Sequence, residues 1–224
     1  MEKTEGLEKL LAKKYGNTGA VIVQKGGNSV YEYYLNGCTR ESPFHVFSVT
    51  KSILSILIGT AIDKGCIQSV EQKVLDFFPD YTIRKREKTI QDIIIRDMLT
   101  MTAPYKYKYA PYTKYFSSGD WVKASLDLLG GRGEIGKFRY APVIGPTGVH
   151  TGGWGLVLKP FDMVKIGQLL LNEGEWNGHR LIRKEWIRES TTRKVQWKTF
   201  KYGYLWWIID ENEQSFAALS DGGI

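Results

Sequence analysis

From Ile53 to Ile62 the chain places Ile53, Leu54, Ile56, Leu57, Ile58, Ala61 and Ile62 around nearly every face of a helix. A helix that is apolar all round has to be enclosed by other elements. The run contains Ser55, Gly59 and Thr60 and is too short to cross a bilayer, so protein must do the enclosing. Ser48 stands at its start, and Gly65 is placed to end it as the first residue past the cap. With 224 residues, the chain is long enough to build that enclosure.

The flanking segments supply candidate walls. Leu7–Tyr15 reads as a short amphipathic helix. Gly19–Lys25 and Ser29–Leu35 are β-branched or aromatic runs around the turn Gly26-Gly27-Asn28, which predicts a hairpin. Ser69 with Gln72 resembles a capping box. Further helices are expected over Thr89–Met101, Ser118–Leu129 and from Lys159-Pro160 to before Gly174, with a short one near Trp186. Period-two runs return over Tyr204–Ile209 and Ser215–Leu219, around Asp210-Glu211-Asn212-Glu213. Strands at both ends with helices between them indicate an α+β fold.

Composition narrows the function classes. Lys+Arg 31 against Asp+Glu 24 leaves a net charge of +7, scattered along the chain rather than blocked, which argues against nucleic-acid binding. Cys38 and Cys66 fit neither a metal nor a redox spacing and read as buried or idle thiols. The polar, acidic start Met1–Glu5 lacks the form of a signal peptide, so a cytoplasmic protein without a membrane span is expected. Gly130-Gly131-Arg132-Gly133 has no Lys-Ser/Thr after it and is not a phosphate loop.

Ser48 and Lys51 are the residues with chemistry to offer. Three positions apart on a helix, their side chains share one face. A serine hydroxyl becomes a useful nucleophile when a base takes its proton. A lysine serves as that base only when neutral, which apolar surroundings and the positive end of a helix dipole both favour. On spacing alone, an N-capping serine followed by a surface lysine is the stronger reading.

The surrounding sequence reverses that preference. Phe47-Ser48-Val49-Thr50-Lys51-Ser52, running on to Asp63-Lys64-Gly65, resembles the active-site helix of the serine β-lactamase and penicillin-binding family, closest to its class C-like and esterase branch. Leu75-Asp76-Phe77-Phe78-Pro79, Ile95–Thr102, Trp154-Gly155-Leu156 with Pro160–Gly167, and Tyr202–Trp207 are similar to later family segments in the family's order. The resemblance implies an antiparallel sheet flanked by helices, with a sheet lobe from about residues 1–47 and 176–224 and an all-helical lobe over about 48–175.

The resemblance also assigns roles. Ser48 becomes the nucleophile, Lys51 its base, and Tyr140, in Tyr140-Ala141-Pro142, the proton relay of the family's Tyr-x-Asn motif. Pro142 replaces the asparagine, which puts amide recognition there in doubt. For the third motif, Asp221-Gly222-Gly223 is preferred over His150-Thr151-Gly152, because a strand precedes it. The oxyanion donors would then be the backbone N–H groups of Ser48 and Ile224. No metal or organic cofactor is implied, the partner is a small acyl substrate, and the oligomeric state stays open. The stretch Tyr105-Lys106-Tyr107-Lys108-Tyr109 with Tyr112, Lys114 and Tyr115 suits a loop at a cleft mouth better than a stacking platform for single-stranded nucleic acid.

Against the family pattern, the chain lacks an internal piece between Tyr140 and Trp154, and it lacks the strands and helix that follow the third motif. A rival reading is therefore a non-catalytic or truncated relative that binds a peptide or ligand without turnover. The same gap implies that the hairpin and the strand Ser215–Leu219 lie apart with unpaired edges, in a marginally stable or self-associating chain.

Overall fold

The computed structural model describes residues 2–85, 87–106, 117–137 and 155–220. The chain combines helices with antiparallel strands, the α+β arrangement expected. Helix α1 (Glu2–Lys14) leads into β1 (Ala20–Lys25) and β2 (Asn28–Tyr34), the predicted hairpin. Gly26 and Gly27 both take positive φ in its turn, where a side chain would be strained. After the short strand β3 (Phe44–His45) comes α2 (Val49–Asp63), the all-round apolar helix. Gly65, at φ 71°, ends it as expected.

Between residues 66 and 106 the structure departs from the sequence expectation. Ser69 and Gln72 open no helix; the Gln72 side chain accepts from the Gln68 N–H, and the Ser69 hydroxyl accepts from the Glu71 N–H, within a turn. The helix expected over Thr89–Met101 is split into a 3-10 turn, Thr89–Asp92, and helix α3, Ile95–Leu99. Ile93, fully buried, is extended, and its carbonyl accepts from the Val74 N–H at 3.0 Å. A β-branched residue pinned to a distant segment in this way cannot also continue a helix.

Helix α4 (Trp121–Leu128) starts later than predicted because Asp120 caps it, accepting from the Lys123 N–H at 2.9 Å. Strand β4 (Val157–Leu158) pairs with β3. Helix α5 (Pro160–Leu171) starts on its proline and packs against β1. A small hairpin follows, β5 (Glu175–Trp176) and β6 (His179–Arg180), then helix α6 (Lys184–Ser190). Strands β7 (Val195–Trp197), β8 (Phe200–Tyr202), β9 (Trp207–Asp210) and β10 (Ser215–Ala217) form a four-stranded antiparallel sheet in the order β10-β9-β8-β7. The strand expected over Tyr204–Ile209 begins only at Trp207, because residues 203–206 turn away from the sheet.

Two apolar cores hold these pieces. The larger joins α2, α3, α5, α6 and the four-stranded sheet around Trp186, Ile182, Tyr204 and Trp206. The smaller gathers Ile90, Ile93, Ala103, Leu126 and Leu129. Fully burying a side chain of this size contributes about 1.5–3 kcal/mol each. The hairpin β1–β2 and strand β10 belong to separate sheets. Both cysteines are free thiols. Among the described residues, no helix is long and apolar enough to cross a membrane.

Candidate active site

The turn that delivers Ser48 is tied down from three sides. Val46, fully buried, donates its N–H to the Leu156 carbonyl at 2.9 Å. The Thr50 hydroxyl accepts from the Leu156 N–H at 3.4 Å. The Ser52 hydroxyl, one turn after Ser48, donates to the Leu205 carbonyl at 2.7 Å in a buried bond. Leu205 in turn donates its N–H to the Leu99 carbonyl at 2.9 Å. The start of α2 is thus stitched to Leu156, just before β4, and, through Leu205 in the bend before β9, to the end of α3.

Phe47, immediately before Ser48, has φ 42°. A bulky residue in the left-handed region costs on the order of 1–3 kcal/mol, and such strain concentrates at functional sites. The positive φ swings the chain so that Ser48 enters the helix already in helical geometry, at φ −68° and ψ −11°. Hydrogen bonding of the turn begins with the Val49 N–H onto the Val46 carbonyl. Among the described residues, none accepts the Ser48 N–H.

Lys51 folds back along the helix face, and its Nζ donates to Ser48 Oγ at 2.8 Å. Both residues are half-buried. Lys51 also lines a cavity of about 530 Å³, walled by Leu54 and Ile58 of α2, by Ile95 and Leu99 of α3, and by Leu128 and Leu129 at the end of α4. Lys51 thus both binds the Ser48 hydroxyl and lines an apolar cavity.

Behind α2, Trp186 lies against the helix and donates its indole N–H to the Ser55 carbonyl at 3.0 Å. A methyl group on Gly59 would come within 2.2 Å of the Trp186 ring. Gly203 is equally constrained, since a Cβ there would lie 2.2 Å from the Ser190 carbonyl oxygen. Both glycines allow close approach rather than an unusual dihedral.

A second polar cluster braces the lobe that faces the cavity. The Glu87 carboxylate accepts the N–H groups of Gly131 at 2.8 Å and Ile90 at 3.3 Å, and it pairs with Lys106 Nζ at 3.7 Å. The side chains of Glu87 and Lys106 are only 9% and 11% exposed, so Lys106 points inward rather than toward a nucleic-acid ligand. The rest of the tyrosine-lysine stretch lies outside the described residues apart from Tyr105, which lines the cavity. Tyr140, Pro142, His150, Asp221, Gly222, Gly223 and Ile224 also lie outside the described residues. Of the expected catalytic set, then, the structure brings Ser48 and Lys51 together. Spacing along the chain had no means of finding Phe47, Ser52 or Glu87. Their importance arises from a dihedral angle and from contacts between segments distant in sequence.

A family model described as Beta-lactamase matches residues 6–129, more than half of the chain. The chain belongs to the beta-lactamase family. Solved structures agree on the fold of this beta-lactamase family member. A putative 6-aminohexanoate-dimer hydrolase from Bacillus anthracis aligns with a TM-score of 0.73 at 18% identity, over 96% of this chain and 71% of that one. A putative beta-lactamase from Bacteroides dorei aligns with a TM-score of 0.64 at 16% identity, over 94% of this chain and 80% of that one. An octameric penicillin-binding protein homologue from Pyrococcus abyssi gives a TM-score of 0.64 at 16% identity, over 92% of this chain and 65% of that one. Identities this low establish a shared β-lactamase/transpeptidase fold and nothing finer.

Proposed function

We propose that this protein is a serine hydrolase that forms an acyl-enzyme on an ester, amide or β-lactam. The observation that carries the reading is the 2.8 Å hydrogen bond between Lys51 Nζ and Ser48 Oγ at the head of the buried helix. In the neutral form, Lys51 takes the Ser48 proton as Oγ attacks the substrate carbonyl. The C–O or C–N bond of the tetrahedral intermediate then breaks, and Tyr140 relays a proton to the departing group. Water hydrolyses the acyl-Ser48 ester, returning the serine and releasing the acid. The Ser48 N–H, which no described group accepts, serves as one oxyanion donor, with the Ile224 N–H as the second.

The second reading, a relative that binds without turnover, draws support from Pro142 in place of the family's asparagine and from Asp221 at the head of the third motif. Both substitutions also bear on substrate. Pro142 removes an amide-recognising side chain, and Asp221 repels the carboxylate that penicillins and cephalosporins carry. Nitrophenyl acetate should therefore be hydrolysed faster than a chromogenic cephalosporin. Activity should fall by several orders of magnitude in Ser48→Ala. Full activity in that variant would contradict the proposal, and faster cephalosporin turnover would contradict the roles given to Pro142 and Asp221.

A further inference from the structure

We infer that His45 is a positioning residue for Ser48: its Nδ1 holds the peptide before Phe47 in the strained turn that presents the Ser48 N–H. The inference rests on the serine-hydrolase reading of Ser48. Two peptide groups flank Phe47, and together they offer four polar atoms. The Val46 carbonyl accepts from the Val49 N–H at 3.0 Å, and the Phe47 carbonyl accepts from the Thr50 N–H at 3.1 Å. The Phe47 N–H donates to His45 Nδ1 at 3.4 Å. The Ser48 N–H has no acceptor among the described residues, which suits it to an oxyanion. Three of these groups are tied, and the fourth is the one assigned to the substrate.

His45 supplies the tie that comes from outside the helix. Val49 and Thr50 belong to α2 and travel with it, whereas His45 sits on β3, where Phe44 and His45 pair with Leu158 and Val157 of β4. The Phe44 ring also closes on Gly19, where a Cβ would lie 2.3 Å from it, so β3 is a fixed base. Phe47 is 45% exposed, and burial does little to hold its φ of 42°. The edge-to-face contact of the His45 and Phe47 rings, with centroids 4.2 Å apart, sets the imidazole in place. Without that acceptor, the Val46–Phe47 peptide can rotate and the turn relaxes toward the negative φ that a bulky residue prefers. The Phe47–Ser48 peptide turns with it, and the oxyanion donor is misaligned.

The test is the rate at which a fluorophosphonate labels Ser48 in the unaltered chain and in two variants. His45→Phe keeps a ring but loses the acceptor, and His45→Asn can place its side-chain oxygen where Nδ1 stands. All three are measured well below their melting temperatures, so that folded chain reacts. Labelling should slow roughly fivefold in His45→Phe, the rate equivalent of about 1 kcal/mol for one hydrogen bond, and stay within about twofold in His45→Asn. A second measurement decides even where these variants fail to fold. Nitrogen–proton correlation spectra of the chain carrying His150→Gln and His179→Gln, at the pH of the labelling reaction, should show the His45 proton on Nε2 and none on Nδ1. A ring nitrogen accepts only where it carries no proton. A proton on Nδ1, equal labelling rates in all three chains, or equal slowing in both variants overturns the positioning role, while labelling of Ser48 leaves the nucleophile standing. Absence of labelling in the unaltered chain overturns the two together.

Discussion

Trp186 packs closely against the helix that carries Ser48 because Gly59 has no side chain, and a methyl group there would sit 2.2 Å from the indole ring. The contact fixes α2 from behind while Ser52 and Thr50 fix it from the front. Gly59→Ala should push Trp186 away, weaken its bond to the Ser55 carbonyl and destabilise the chain by about 1–3 kcal/mol. Gly6→Ala, in α1 with open space around it, should be neutral or slightly stabilising. Thermal denaturation of the two variants compares them directly, and equal melting temperatures would remove the argument.

Glu87 holds the segment around Gly131 to the segment around Lys106, and the pair is nearly excluded from water. Glu87→Ala leaves a buried ammonium group without its counter-ion and two amide groups without their acceptor. We expect a loss of about 3–5 kcal/mol in urea denaturation. A loss below 1 kcal/mol would mean that water reaches Lys106 readily.

Asp127 ties the loop containing Tyr81 and Arg84 to α4, accepting from the Tyr81 hydroxyl at 2.8 Å, Lys123 Nζ at 2.9 Å and Arg84 at 3.3 Å. Burial pushes its carboxyl up, but the hydrogen bonds from Lys123 and Tyr81 outweigh burial and hold it below the usual range. A lowered folded value means that this stabilisation is complete above the unfolded value of about 3.9, and that it is lost as pH falls through the folded one. For Tyr81 the sign is opposite. Burial and the bond to Asp127 raise its hydroxyl to about 12, so its contribution is full below about 10 and fades as pH climbs through 12. Asp127→Asn should therefore lower stability at neutral pH and flatten the acid limb of a stability–pH curve. An unchanged acid limb would contradict the assignment.

Elements built from local signals were legible in the sequence. The hairpin over residues 20–34 follows from alternating apolar residues around two glycines, and α2 and α5 follow from an apolar period and a proline at the first position. The reading failed where distant contacts decided the conformation. Ile93 leaves the helix because Val74 claims its carbonyl, and residues 203–206 leave the strand because Tyr204 and Leu205 donate to Ser190 and Leu99. The hairpin β5–β6 is also locally encoded. Asn177-Gly178, both at positive φ, is the strongest short hairpin signal.

The candidate site divides the same way. Ser48 and Lys51 share a helix face by spacing alone, and their hydrogen bond follows from it. The strain at Phe47 and the link from Ser52 to Leu205 depend on where remote segments come to rest. No periodicity encodes them.

The most direct test of the nucleophile is covalent labelling of Ser48 by a fluorophosphonate, read by intact mass and peptide mapping. One adduct per chain, located on Ser48, absent in Ser48→Ala and strongly slowed in Lys51→Arg, whose guanidinium stays protonated, is the predicted result. An unmodified chain, or an adduct on a different residue, would contradict it.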